Sequence, residues 1–545
     1  MTQSEQHQIR FQPTGKRIDL PAGQSLLTAA QTSGVLLKAI GGGNGTCGSC
    51  RVILASGELS PLTAAERRHL STEELTAGYR LACQAKPLSD CVIEVPAESV
   101  FSRQKLGVST GQQPVIVEAA SEKSSRYGLA VDLGSTKIAL FLMDMTTGAM
   151  LAQTGVINPQ VVFGEDVISR IAYANLSPAN SARLSEVVIE TLNRAVTAIC
   201  AQAGIEPQDV IEAVIAGNTA MHHLLLKLPV RQLGAVPYEP ALSSALNTSV
   251  HELGLTLSAE ARVFLPPNIA GFVGGDHVAA LTAAEQGSYA KPLVLVDIGT
   301  NTEISLMTAD SLWSCSTASG PAFEGAHISQ GMRAADGAID KVTIVGDHVQ
   351  ANVIGDVPAA GLCGTGVLSA IAQMQQAGAL RENGRFDSSH PLVRSDGKRA
   401  WVELVPAEAS AHGKAVSITR GDVNDIQLAK AAIRSGIDIL LKEAHLQPEG
   451  VASWVIAGAF GTWLNLPDAV TIGMLPDVTL ERCHQIGNAA GIGAIAMLLA
   501  PESRVRAEGL AKHSNYLELT LYPGFSDIYI ARMALGKNTL DLGAN

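Results

Sequence analysis

Leu129-Ala-Val-Asp132-Leu-Gly134-Ser135-Thr136-Lys137, continuing through Ile-Ala-Leu-Phe-Leu-Met143-Asp144 to a Thr-Thr-Gly148 turn, is the stretch that decides how the chain is read. Two apolar runs of strand length flank a short polar loop, the pattern of strand, tight turn, strand. Small loop residues let successive backbone N–H groups approach an anion. Ser135 and Thr136 add hydroxyl donors, and Asp132 can hold a hydrated divalent cation. The expectation is a hairpin that cradles phosphate, with Gly134 holding a backbone conformation other residues avoid.

A second copy begins at Leu293: Leu293-Val-Leu-Val-Asp297-Ile-Gly299-Thr300-Asn301-Thr302-Glu303-Ile-Ser-Leu-Met307. One Asp-x-Gly-Ser/Thr hairpin is a weak signal, because turns of this composition occur in any fold. Two in register are much stronger. Neither a G-x-x-x-x-G-K-Ser/Thr loop nor a strand-placed G-x-G-x-x-G is present, which argues against the other two common nucleotide folds. With its paired loops the chain resembles the ribonuclease-H-like ATPases, the superfamily of actin, sugar kinases and chaperone ATPases. That resemblance implies an α/β architecture of two similar lobes, each presenting one loop to ATP and Mg2+ in the cleft between them.

At 545 residues the chain is long enough for several domains. Its 52 glycines and 46% hydrophobic content suit a compact α/β protein. A net charge of -12 opposes attraction to nucleic acid or an anionic membrane, leaving a protein or small molecule as the expected partner. The start, Met1 to Phe11, is polar and carries no secretion signal. The Gly-rich apolar run from Ile486 to Ala500 is shorter than the roughly 20 residues of a membrane span and reads as a buried helix. Eight mostly scattered cysteines form no disulfide framework, which fits the cytoplasm.

Residues 1–96 read as a separate unit: a hairpin around Pro13-Thr14-Gly15, a helix from Gln24 to Ser33, then Gly41-Gly42-Gly43-Asn44-Gly45-Thr46-Cys47-Gly48-Ser49-Cys50 and, later, Arg80-Leu81-Ala82-Cys83. Glycines between cysteines let a loop wrap a cluster with its N–H groups toward the sulfurs, and thiolates suit iron. The stretch resembles a 2Fe-2S ferredoxin domain of β-grasp fold, with Cys47, Cys50 and Cys83 matching three ligand positions. The family's first cysteine falls on Gly41, which has no side chain. Cys91 is the nearest spare sulfur, and it reads as a small buried residue of the closing strand. A C-x2-C pair also suggests zinc, but the loop glycines favour iron-sulfur.

Residues 97–126 read as a linker able to let the cluster domain swing. Residues 127–289 and 290–545 are the expected first and second lobes. In the first, Ala213–Ala216 reads as a strand opening onto Gly217-Asn218-Thr219 and a helix, a form able to present N–H groups to an anion. His222 and His223 follow on different faces of that helix and read as packed or solvated. Leu265 to Asp276 closes the lobe. In the second lobe, Ser319 to Ala326 and Gly364-Thr365-Gly366 form Gly-rich turns, a helix is expected from Ile426 to Ala444, and Gly458-Ala459-Phe460-Gly461 follows a strand. Gly487 to Ala494 starts a helix whose small residues permit tight packing between lobes.

Ferredoxin domain, linker and double-cradle ATPase in this order, with Gly-Asn-Thr-Ala-Met at 217, Leu-Pro-Pro-Asn-Ile at 265, Gly-Pro-Ala-Phe-Glu-Gly-Ala at 320 and Gln-Leu-Ala-Lys-Ala-Ala-Ile-Arg at 427, resemble the reductive activators of corrinoid proteins. The resemblance implies ATP-dependent transfer of one electron from a 2Fe-2S centre to Co(II) of a corrinoid methyl carrier, restoring Co(I). It implies that Asp132 and Asp297 hold Mg2+ or orient water, that Gly134 to Thr136 and Gly299 to Asn301 clasp the phosphates, and that Gly364, Gly366 and Gly458 to Gly461 line the nucleotide site. Cys47, Cys50 and Cys83 would carry the electron, an upstream donor would supply it, and a homodimer is expected. A small-molecule kinase of the same superfamily and a nucleotide-switched binding protein without a cluster are the alternatives.

Overall fold

The structure, a computed structural model, describes residues 6–35, 37–38, 43, 45, 47–96, 99, 126–164, 166–325 and 327–536. Gly41 and nearly all of the expected linker lie outside these. The described chain forms two compact units that divide after Asp276.

The first unit opens with a five-stranded sheet in which Gln6–Gln12 pairs antiparallel with Lys16–Pro21 and parallel with Cys91–Glu94. Arg51–Ser56 and Tyr79–Leu81 complete it. The helix Leu26–Ser33 is capped by Ser25, whose hydroxyl accepts from the Thr28 amide, and ends at Gly34 in the left-handed region. Leu26, Ala29 and Ala30 bury against Ile9, Phe11, Val52, Leu81 and Ile93, a core of the β-grasp kind. Glu66 and Arg80 lie inside this domain and pair at 2.7 Å.

The rest of the first unit is a six-stranded sheet centred on Tyr127–Leu133. Lys137–Asp144 and Met150–Ile157 extend it antiparallel on one side, and Val210–Gly217 and Arg262–Leu265 extend it parallel on the other. The two cradle strands are almost wholly buried, which is why they read as continuous apolar runs. The helix Pro178–Ala203 covers one face with Leu184, Val188, Leu192, Ala195 and Ile199, a helical stripe bounded by the Ser177 cap and Gly204.

The second unit repeats this plan. Leu293–Ile298 is central, Thr302–Met307 and Leu312–Thr317 follow antiparallel, and Ser453–Ala457 and Cys483–Gly487 add parallel strands on the opposite edge. Two small three-stranded sheets are inserted between the hairpin strands and Ser453–Ala457. The expected start of the long helix at Ile426 is corrected: the helix is Arg420–Glu443, because Thr419 and Asp422 form a capping box six residues earlier. Gly436 lets it cross the sheet closely, since a Cβ there would lie 2.7 Å from Ile304.

The run after Ile486 is, as expected, a buried helix, Ala489–Leu499. Its small residues allow a close approach to the helix Gly275–Gln286: a Cβ on Gly493 would meet the Ala279 carbonyl at 1.8 Å, and both residues lie in the second compact unit. Among the described residues no helix is long and apolar enough to cross a membrane.

Candidate functional site

In the first unit the parallel pairing of Asp132 with Ala216 and Leu133 with Gly217 puts the 134–136 loop beside the Gly217-Asn218 turn. Asn218 caps the helix Thr219–Leu225, its Oδ1 accepting from the Met221 amide, while its Nδ2 donates to Ser135 Oγ at 2.8 Å. On the other side Asn158 Nδ2 donates to the Gly134 carbonyl and the Asn158 amide to the Thr136 carbonyl. The loop is therefore held at both ends by asparagines. Gly134 is required for space and not for a left-handed backbone, correcting the expectation: a Cβ would sit 2.5 Å from the Lys137 carbonyl, and its φ is outside that region. Burial lowers the Lys137 pKa, and the neighbouring Asp132 charge opposes the shift.

His222 and His223 are packed, as expected. His222 is bonded through Nε2 to the Ile215 carbonyl, and burial brings its pKa down to about 4. Nε2 of His223 accepts from the Ala241 and Leu242 amides, so its Nδ1 carries the proton given to the Thr219 carbonyl. Both rings are neutral structural groups.

In the second unit the Gly299 amide donates to the Asn301 carbonyl, closing the turn. Thr300 Oγ1 donates to Glu324 Oε1 at 2.7 Å, and Thr302 and Ser319 hydroxyls bond at 2.8 Å. Burial raises the Glu324 pKa, with the Thr300 bond and the Arg333 charge opposing. Asp297 stands half-buried at the carboxyl end of its strand, as Asp132 does in the first unit. Gly458 enters this cradle directly: at φ +89, a Cβ would lie 2.2 Å from the Ile298 carbonyl and 3.0 Å from Asp297 Oδ1. Gly458–Gly461 forms a single helical turn, with Phe460 stacked on Phe323 at 5.0 Å and the Gly461 carbonyl accepting from Gln485.

Gly364 and Gly366 begin the buried helix Gly364–Gln376, where Cβ atoms would meet the carbonyls of Phe323 at 1.7 Å and Ile339 at 2.0 Å. Gly364 thus packs closely against the Pro321–Glu324 turn, and Gly366 against the strand Ala338–Val345. Sequence reading noted Asn218 and Glu324 in their motifs but assigned neither a site role. The signal was present, since each sits in a Gly-rich turn at the end of a strand or before a helix, but the partner of each is distant in sequence.

Two of the three cysteines meet. Cys50 and Cys83 thiols are in contact, and the Cys83 amide points at Cys50 Sγ at 3.5 Å. The Cys50 contact, reinforced by Gln84 and the Gly45 amide and opposed by burial, brings the Cys83 thiol down to about 7, while Cys50 is pushed up. Cys47 is exposed and close to Ser49 Oγ. Gly45 and Gly48 both adopt positive φ, and Cβ atoms would crowd Gln84 at 2.8 Å and His69 at 2.8 Å, so the loop fits its neighbours only without side chains. Soft thiols with amides aimed at sulfur suit an iron-sulfur centre. Cys91, as expected, is buried, its thiol donating to the Glu58 and Ser89 carbonyls. Among the described residues no three His, Cys, Asp or Glu side chains gather tightly enough to hold one metal ion.

Three family models match successive parts of the chain: the 2Fe-2S iron-sulfur cluster binding domain over residues 9–88, the RACo middle region over 127–287, and the C-terminal domain of RACo, the ASKHA domain, over 291–544. The corrinoid activation enzyme RamQ of Eubacterium limosum is 34% identical over 423 residues, 76% of this chain and 71% of that protein. The chain belongs to the RACo family. A second member-like relative, the [Co(II) methylated amine-specific corrinoid protein] reductase of Methanosarcina barkeri, is 23% identical over 75% of this chain and 77% of its own length. Among solved structures, a reductive activator for corrinoid, iron-sulfur protein is similar at TM-score 0.69 and 28% identity, covering 97% of this chain and 98% of that one. The resemblance expected from the sequence, and the fold class of a ferredoxin-type domain followed by an ASKHA ATPase, are borne out.

Proposed function

We propose that this chain is an ATP-dependent reductive activator of a corrinoid methyl-transfer protein, returning Co(II) to Co(I) by one electron. What carries the reading is the near-complete overlap with a solved reductive activator for corrinoid, iron-sulfur protein, together with the cluster-binding and ASKHA models that match within this one chain. A bound 2Fe-2S centre supplies the single electron. Cys47, Cys50 and Cys83 would hold it, with Gly41 leaving the fourth position to a ligand from elsewhere. Asp132 and Asp297 would hold Mg2+ or orient water, and the 134–136 and 299–301 loops would clasp the phosphates. Gly458 would keep the space beside Asp297 open to the nucleotide. Gly364 would act one layer below, by letting the turn that carries Glu324 settle, and Gly366 by seating the same helix on the strand Ala338–Val345.

ATP matters because a nucleotide that binds two conformations unequally shifts the balance between them. An upstream electron donor, a cytoplasmic setting and a homodimer complete the proposal. The test is the cob(II)alamin-to-cob(I)alamin spectral change in a candidate carrier mixed anaerobically with reduced protein. The change should require ATP and release inorganic phosphate with no phosphorylated small molecule. A spectral change indifferent to ATP, or a phosphorylated product, would overturn the proposal.

A further inference from the structure

A cavity of about 880 Å3 opens in the second unit, with no residue of either cradle loop in its lining. It lies between the segment after the helix Gly364–Gln376, the hairpin of Val393–Ser395 and Ala400–Val405, and the start of the helix Arg420–Glu443. Its walls bring together Arg385, Lys398, Arg399 and Arg420 against one carboxylate, Asp396, with Phe386 and Trp401 beside them. In a chain of net charge -12 such a positive concentration is not a consequence of bulk composition.

One carboxylate, Asp396, stands against four cations, and its charge interacts with Arg399. Asp396 is committed to its own turn, accepting the Lys398 and Arg399 amides at 2.9 and 2.7 Å, which hold its carboxyl below the usual range. The Arg420 fork reaches two neutral acceptors, Gln427 Oε1 at 3.0 Å and the Asn383 carbonyl at 3.4 Å. Among the described residues, none of the four cations forms an ion pair within 4.0 Å. Elsewhere Arg80, Arg381, Arg434 and Arg532 are all paired with carboxylates. Burial, and next the nearby Arg385 charge, lower the Arg420 pKa, so the two guanidiniums stand close enough to repel.

The arrangement is built and not incidental. Trp401 pairs in register with Thr419, the cap of the long helix, which fixes the hairpin against the helix start. Gly384, at φ +74, lies where a Cβ would be 2.2 Å from Gln427 Oε1, so only glycine lets the Arg385 segment seat on the same helix. The volume is that of small-molecule sites, and guanidinium forks match phosphoryl oxygens better than any other side chain.

We propose that this cavity is a second anion site, separate from the cradles, which takes a small organic phosphate with its phosphoryl oxygens between Arg385 and Arg420 and its planar or apolar part on Trp401 and Phe386.

The test uses the full-length protein, inorganic pyrophosphate and a nucleoside monophosphate as probes, and the part of the tryptophan fluorescence lost in Trp401→Phe as the signal. Wild type should give a saturable Trp401 response to both probes, tighter for the nucleotide than its single phosphate group alone would give. Arg385→Gln and Arg420→Gln should each weaken binding at least tenfold, Arg385→Lys less, and Arg183→Gln, on the surface of the other unit, within twofold of wild type. Circular dichroism confirms that each variant is folded. Absence of a saturable response to either probe, unchanged affinity in both glutamine variants, or equal weakening in Arg183→Gln would overturn the proposal.

Discussion

Replacing Gly458 with alanine is the sharpest test of how the second cradle is built. Two separate costs meet at this residue. Its φ of +89 is a backbone conformation that a side chain resists, at about 1–2 kcal/mol. The added Cβ would also sit 2.2 Å from the Ile298 carbonyl and 3.0 Å from Asp297 Oδ1, and relieving such an overlap in a packed site costs about 1–3 kcal/mol. Together these predict a loss of about 2–5 kcal/mol, a large share of the roughly 5–15 kcal/mol of a typical domain. Gly378 separates the two costs, since its φ is +79 but nothing lies within 4 Å of its missing Cβ. Gly378→Ala should show only the backbone cost. Urea unfolding of both variants reads the stability loss, and ATP turnover reads the displacement of Asp297. Displacing Asp297 by about 1 Å should lower turnover roughly 10²-fold in Gly458→Ala, while Gly378→Ala stays near wild type. If the two variants were equally stable, or if Gly458→Ala turned over ATP normally, the placement of Gly458 against Asp297 would be refuted.

Removing either cradle carboxylate, in Asp132→Ala or Asp297→Ala, should lower phosphate release at least about 10²-fold, as loss of a preorganised electrostatic group does; an unchanged rate in both would sink the nucleotide assignment. Iron and sulfide analysis with EPR of the reduced protein should show a cluster that Cys83→Ser and Cys50→Ser abolish; a wild type without signal, restored by Gly41→Cys, would remove electron transfer from the proposal. In the ferredoxin domain burial pushes the Glu66 pKa up, but the Arg80 bond and the Thr63 amide outweigh it, so the folded value lies below the free one. The pair therefore stabilises fully above the free carboxylate range and loses its contribution as pH falls through the folded value, and acid unfolding should lose that component in Glu66→Gln. Lys430, 1% exposed and donating to the Ala534 carbonyl, has its pKa brought down to about 7 by burial and then by Arg434 and Arg532. The folded state thus sheds a proton that the unfolded chain keeps, so stability of the second unit should rise between about pH 7 and 10; Lys430→Met should flatten that rise in denaturant titrations at stepped pH.

Much of the site was legible because its signals are local. A strand, a small-residue turn and a returning strand occupy fewer than about twenty residues, and two continuous apolar runs around a tight polar turn specify them without help from the rest of the chain. The cysteine loop is equally local. The long helix was misjudged at its start because hydrophobic periodicity weakens before Ile426, whereas its true beginning is decided by hydrogen bonds of Thr419 and Asp422 with each other's backbone. Gly134 was correctly singled out for the wrong reason, since only the structure places the Lys137 carbonyl in the space a side chain would fill.

From the sequence by itself came the two aspartate-led hairpins, the Gly-rich loop with Cys47 and Cys50, and the order of the domains along the chain, because each is a pattern of neighbouring residues. Tertiary structure alone decided that Asn218 holds Ser135, that Glu324 takes the Thr300 hydroxyl, that Gly458 borders Asp297, and that Arg385 comes near Arg420 in a cavity where cations outnumber carboxylates. These pairs come from separate elements, joined only when strands and helices pack. No local propensity encodes a contact whose partner is set by which surfaces can be buried together.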